Sequence, residues 1–175
     1  LAFVYSTTRA GKPLSSAHPD LLGVTDLLFT GTADPGVDVV FLCLGHGNSS
    51  EFLKQHTFSD RTRVIDLSND FRLKEDAQFG GREFVYGLPE LNREAIREAR
   101  HIANPGCFAT AIQLALLPLA RAGVLRETVH VNAVTGSTGA GVGLSPTTHF
   151  SWRNNNVSWY KPFTHQHLGE IRQSL

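Results

Sequence analysis

Methionine is absent from this 175-residue chain, position 1 included. The sequence opens on Leu1-Ala2-Phe3-Val4-Tyr5, the pattern of a strand under way, and closes from Leu168 to Leu175 in a helical pattern. Together these features read as an internal piece of a longer protein. Cysteine is nearly absent, with 2 residues. That excludes a disulfide scaffold and leads us to expect a reducing compartment, the cytoplasm. Neither charge sign is in excess, with 16 basic and 16 acidic side chains. No nucleic-acid partner held by bulk charge is therefore expected, since no basic surplus exists to neutralise phosphates. Long apolar runs are missing too. The longest, Val37 to Leu44, is broken by Asp38 and ends at Gly45. A bilayer span needs roughly 20 residues, so no membrane association is expected, and no signal-peptide pattern is visible. What is present is a hydrophobic content of 41%, too apolar for disorder and enough for a core.

Short β-rich runs alternate with helical patterns. Leu1 to Ser6, Thr25 to Thr30, Val37 to Leu44, Arg63 to Leu67, His101 to Ala103 and Thr128 to Val134 read as strands. The nearly continuous apolar character of Val37 to Leu44 suits a parallel strand buried on both faces, which makes Cys43 a core residue. Glu51 to His56, Pro89 to Arg100 and Phe108 to Ala122 read as helices, the last stopped by Gly123. Strands alternating with helices imply an α/β fold with a mostly parallel sheet. The pattern changes near Asn104, where a boundary is expected.

The sharpest local feature is Asn104-Pro105-Gly106-Cys107-Phe108-Ala109-Thr110. Asn is a good N-cap and Pro is favoured at the first helical position. Cys107 is then expected at the third helical position, where unpaired N–H groups and the helix dipole favour an anion. A thiol so placed is available as the nucleophilic thiolate, and Gly106 would leave room for a substrate. His165-Gln166-His167, followed by Glu170, offers imidazoles, the natural proton partners of a thiol. No second ligand cluster accompanies them, so no metal is expected. His18, His56, His101 and His130 read as structural or surface residues, and His149 stays open.

Gly136-Ser137-Thr138-Gly139-Ala140-Gly141-Val142-Gly143 follows a predicted strand. It is either a loop whose N–H groups approach an anion or planar cofactor, or a flexible turn. It lacks the Lys of a phosphate loop. Ser6-Thr7-Thr8-Arg9 also follows a strand. Hydroxyls and an Arg there would suit the 2′-phosphate of NADP if the strand is the second of a Rossmann unit; an ordinary polar loop is the alternative.

Taken together, several segments resemble one family, N-acetyl-gamma-glutamyl-phosphate reductase. They are Asn104 to Thr110, Val64 to Leu73, Tyr86 to Leu91, Gly136 to Gly141, and His165-Gln166-His167 with Glu170-Ile171, in the family's order. The resemblance implies a Rossmann-type, mostly parallel sheet lacking its first strand over residues 1–104. It implies part of a second α/β domain, of the semialdehyde-dehydrogenase type, over 105–175. It also implies NADPH-dependent reduction of an acyl phosphate to a semialdehyde through a Cys107 thioester, in arginine biosynthesis. By the same resemblance His165 is the base, with His167 second. The resemblance further implies that Ser6, Thr7, Arg9, Gly45, His46, Gly47, Ser137, Gly139 and Gly141 are the NADP(H) contacts. Arg153 is a candidate for the substrate carboxylate or phosphate, and Asn104 for a catalytic or substrate contact. The full-length protein is expected to be a homo-oligomer, dimer or tetramer, acting on a small-molecule acyl phosphate. The stretch Thr147 to Lys161 departs from the family and raises an N-succinyl substrate beside the N-acetyl one. Aspartate-semialdehyde dehydrogenase is the rival enzyme, and a dinucleotide-binding module without catalysis is the non-enzyme rival. The piece alone is expected to be inactive, because the family's first strand and Gly-rich turn, and its later strands, are not in it.

Overall fold

The computed structural model describes residues 1–175. The chain divides into two compact units, Leu1–Pro105 and Gly106–Leu175. No helix is long and apolar enough to cross a membrane.

In the first unit, β1 (Val4–Tyr5) and β2 (Phe29–Thr30) form a parallel pair. A second sheet has the order β3-β4-β7-β6-β5, formed by β3 (Val39–Leu42), β4 (Arg63–Asp66), β5 (Gln78–Phe79), β6 (Arg82–Tyr86) and β7 (His101–Ala103). All its neighbours are parallel except β5 and β6. Helix α1 (Ser49–Gln55) connects β3 to β4, and α2 (Pro89–Glu98) connects β6 to β7. Parallel neighbours need such crossovers, because a tight turn reverses the chain. The β5–β6 hairpin escaped the sequence reading. Its signal was there: Gly80 and Gly81 both take positive φ (55° and 76°), the conformation a two-residue hairpin turn requires.

The core lies on one face of the larger sheet. Val40, Leu42, Val64, Phe84 and Ala103 pack there with Leu53 of α1, Phe58 and Phe71. Phe71 and Phe84 stack with ring centroids 4.0 Å apart. The opposite face of β3 is open: Val39 and Cys43 are exposed, and Phe41 is 60% exposed. Two expectations are thereby corrected. Val37–Leu44 is not buried on both faces, and Cys43 is not a core residue. Alternate residues of a strand point to opposite faces, and elements of the unit cover only the face that carries Val40 and Leu42.

In the second unit, α3 (Cys107–Arg121) packs against α5 (His167–Ser174), with a short α4 (Phe150–Arg153) between them in sequence. Ala109, Gln113 and Leu117 are the buried stripe of α3, spaced by one helical turn. Gln113 Nε2 donates to the Glu170 carbonyl at 3.0 Å. The strand expected at Thr128–Val134 does not form; the segment is unpaired and exposed. A strand exists only against a neighbour that accepts its ladder of hydrogen bonds, and this unit holds no other strand.

Candidate active site

The thiol of Cys107 is exposed at the first position of α3. The expectation from sequence has the cap at Asn104 and Cys107 at the third helical position. The helix starts later because Gly106 stays extended, at φ −68° and ψ 151°. Its N–H donates to Oε2 of Glu170 at 2.9 Å, and its carbonyl accepts the first helical bond, from Thr110 N–H at 2.8 Å. The next N–H groups, beginning with that of Cys107, have no acceptor within the helix. Donors and a thiol therefore share one exposed helix start, an arrangement that favours negative charge on either the sulfur or an oxygen beside it.

Both residues flanking Cys107 touch a histidine. Phe108 meets the His165 ring edge-on, with centroids 5.3 Å apart. Gly106 lies against His167: a Cβ on Gly106 would stand 2.2 Å from His167 Nε2. The glycine was expected to make room for substrate, but the space holds that imidazole instead. His167 is 6% exposed and Glu170 2%. Their side chains approach to 3.9 Å, Nε2 to Oε1. His165 Nδ1 accepts the His167 N–H at 3.1 Å, and its ring also contacts Tyr160. Burial first, then the Lys161 ammonium, pushes His165 below the ordinary histidine range against the opposing pull of Glu170. Of the residues expected at the site, the structure thus brings together Cys107, His165 and His167. Glu170 was quoted in the motif but given no role. Its position three residues beyond His167 puts the two on one helical face, and that spacing was the available signal.

Arg153, on α4, donates from Nη1 to Ser158 Oγ at 2.8 Å. Ser137, Gly139 and Gly141 lie in an exposed turn that includes a single 3₁₀ turn over Ser137–Ala140. Among the other histidines, His56 stacks on Phe52 (4.1 Å), His101 lies against Phe84, and His149 accepts from Ser151 N–H.

The first unit holds its own cluster. Ser6 to Arg9 follow β1, and Gly45-His46-Gly47 follow β3, so both loops lie at C-terminal ends of parallel strands, where open α/β sheets bind ligands. Gly45 and Gly47 both have φ +82°. A Cβ on Gly47 would meet nothing within 4 Å, so a ligand can approach this backbone closely. The loop is pinned to the turn after β4. Asp70 accepts from Gly47 N–H (2.6 Å) and Ser50 N–H (3.0 Å), and His46 Nδ1 accepts from Asn69 N–H (3.1 Å). Burial pushes the Asp70 carboxyl up, but the N–H groups of Ser50, Gly47 and Ser49 and the Ser68 hydroxyl outweigh it and hold it below the usual carboxylate range. Under the loop, buried Asp66 accepts from the hydroxyls of Ser49 (2.5 Å) and Ser68 (2.7 Å). Buried Arg72 donates to the carbonyls of Asn104 (2.7 Å) and Leu67 (3.0 Å), holding the exposed Asn104 in place. Asp66, Asp70 and Arg72 lie in a quoted motif, but besides near neighbours each holds a partner 17 to 32 residues away, so no local pattern exposes these roles.

A parallel sheet with Gly-containing loops at its strand ends, followed along the chain by a unit that opens on a helix-start cysteine, is the organisation of a dehydrogenase class. The description of the semialdehyde dehydrogenase NAD binding domain matches residues 1–99, and that of the semialdehyde dehydrogenase dimerisation domain matches residues 107–175. The chain belongs to the semialdehyde dehydrogenase family. Within it, the chain is 65% identical over 99% of its length to the N-acetyl-gamma-glutamyl-phosphate reductase of Flavobacterium johnsoniae, of which it covers 53%. It is 60% identical over its whole length to the protein of that name from Christiangramia forsetii, and 51% identical to that from Bacteroides thetaiotaomicron, covering 53% of each. The chain spans about half the length of these curated relatives.

Proposed function

We propose that the full-length protein is an N-acetyl-gamma-glutamyl-phosphate reductase. On this reading it is an NADPH-dependent oxidoreductase of arginine biosynthesis, acting as a homo-oligomer in the cytoplasm. The observation that carries the reading is the exposed Cys107 thiol at the first position of α3, with a histidine packed on each of its sequence neighbours. The Cys107 thiolate adds to the carbonyl carbon of the acyl phosphate. Phosphate leaves with the electrons of the C–O bond, and a thioester remains. When bound, the nicotinamide supplies the hydride that reduces this thioester. The resulting oxyanion re-forms its carbonyl as the sulfur departs with its bonding electrons, giving the semialdehyde and the free thiolate. The departing phosphate takes up one proton per turnover. The N–H groups at the start of α3 stabilise the oxyanion of each tetrahedral step, and His165, with His167 second, takes the thiol proton as the base.

The residues fit a dinucleotide: Gly45, His46 and Gly47 offer an open backbone at a strand end, and Ser6, Thr7 and Arg9 offer hydroxyls and a guanidinium for a 2′-phosphate. Ser137, Gly139 and Gly141 complete the proposed cofactor contacts, and Arg153 the contact to a substrate carboxylate or phosphate.

Mass spectrometry of the full-length protein, mixed with the acyl phosphate and no reductant, tests this. An acyl adduct on residue 107 is expected. Cys107→Ser is expected to lose activity by about a thousandfold or more. Absence of the adduct under every turnover condition would overturn the mechanism. Assays on N-acetylglutamate, N-succinylglutamate and aspartate semialdehydes, with phosphate and NADP, separate the acyl groups and the rival enzyme.

A further inference from the structure

Gly45 and Gly47 both take φ +82°, a conformation that glycine enters freely and leaves as freely. Holding this turn in one shape before a ligand arrives therefore needs support from elsewhere. The support comes from the turn after β4. Asp70 accepts with both carboxylate oxygens, Oδ1 from Gly47 N–H at 2.6 Å and Oδ2 from Ser50 N–H at 3.0 Å. Gly47 ends the glycine turn and Ser50 lies in the first turn of α1, so one side chain spans the joint between them. Asp70 is itself fixed. Its N–H donates to Ser68 Oγ (3.0 Å), Ser68 Oγ donates to Asp66 Oδ2 (2.7 Å), and Asp66 Oδ1 accepts from Ser49 Oγ of α1 (2.5 Å). Asp66, Ser68 and Ser49 are at most 1% exposed. The bonds close a ring that begins and ends on α1 and runs through the end of β4, inside the sheet. Within this ring Asp70 is the member that reaches the glycine turn.

We infer that Asp70 is a positioning residue for the cofactor: by holding Gly47 and Ser50 together it orders the Gly45-His46-Gly47 backbone before a dinucleotide arrives. The inference rests on the dinucleotide reading of that loop above. Asp70 takes the N–H of Gly47, while the space where a Cβ would stand on that glycine stays open. A loop ordered in advance leaves binding less entropy to lose. Affinity then rises without any contact between Asp70 and the ligand. His46 follows the same logic on a smaller scale, since its Nδ1 accepts the N–H of Asn69, the neighbour of Asp70. The turn after β4 thus sets the shape of a loop that its own two glycines leave undecided.

Two measurements on the full-length protein test it. In hydrogen–deuterium exchange without cofactor, the peptide spanning residues 45–50 should exchange slowly in wild type and fast in Asp70→Ala. Saturating NADPH should restore protection to the variant. Fast exchange in wild type without cofactor would overturn the proposal. The second measurement is a fluorescence titration of NADPH. Asp70→Ala should raise Kd by about tenfold, as loop ordering passes from folding to binding, and Asp70→Asn, which keeps one acceptor, by about threefold. The kcat at saturating NADPH should stay within about twofold of wild type, the mark of lost uniform binding. Val64→Ala is the structural control, since it weakens the core under β4 and leaves the loop's bonds in place. An unchanged Kd in both Asp70 variants, or an equal rise in Val64→Ala, would overturn the proposal and leave the reductase reading standing. Wild-type protein that binds neither NADPH nor NADH would overturn the dinucleotide reading and the proposal with it. If Asp70→Ala does not fold, Asp70→Asn carries the same comparison.

Discussion

Cys43 and Cys107 are both exposed, yet their surroundings differ in electrostatic sign. Partial burial, and then the Asp66 carboxylate, push the Cys43 thiol above its ordinary range. Cys107 stands instead at a helix start, where unpaired N–H groups carry partial positive charge. Iodoacetamide at pH 7 should therefore label Cys107 before Cys43, by at least about tenfold, since the thiolate is the reacting form. Peptide mapping after brief labelling reads the order, and preferential modification of Cys43 would contradict the assignment. Gly106 makes the same scale concrete in another way. Its missing Cβ is required by the His167 imidazole and not by a substrate, so the glycine and the histidine form one feature spread over two distant stretches of sequence.

At the scale of elements, the turns before α3 and before α1 are both held by carboxylates supplied from elsewhere. Glu170 of α5 accepts from the N–H just before α3, and Asp70, beyond β4, accepts from the N–H groups at the start of α1. Neither helix caps itself with a side chain from its own N-cap residue. A remote carboxylate does the capping and also joins two elements. Asp70→Asn keeps an acceptor but removes the charge, and should lower stability by about 0.5 kcal/mol at pH 7, the usual worth of a negative charge at a helix N-terminus. The sign follows from the depressed carboxyl of Asp70. Its contribution is present above the unfolded-state value of about 3.9 and is lost as pH falls through the lower folded value. Urea midpoints of wild type and variant should therefore converge as the pH is taken below that range. A gap that stays constant or widens in acid would show that Asp70 does not act through its charge.

Across the whole chain the decisive feature is exposed apolar surface: Phe41, Val134, Val142, Leu144, Phe150, Trp159 and Phe163 are all exposed. Scattered exposed hydrophobics are ordinary, but this many mark surface suited to burial against further protein. The 175-residue chain by itself should bind an apolar dye such as ANS strongly and unfold over a broad range. A sharp cooperative transition without dye binding would refute this. The open face of β3 and the unpaired Thr128–Val134 segment belong to the same account, since each has the pattern of an element that packs on two sides or pairs with a neighbour.

Residue pattern by itself determined the α/β class and the positions of β3, β4, β7, α2 and α3. These rest on periodicity, caps and turn residues, which act over a few neighbours and leave local traces. Only the tertiary structure decided where α3 starts, why residue 106 is glycine, that Cys43 is exposed, and that Asp66, Asp70, Arg72 and Glu170 brace the turns. Each of these depends on a partner tens of residues away or on which face of an element is covered, and a hydrogen bond between distant residues leaves no spacing to read.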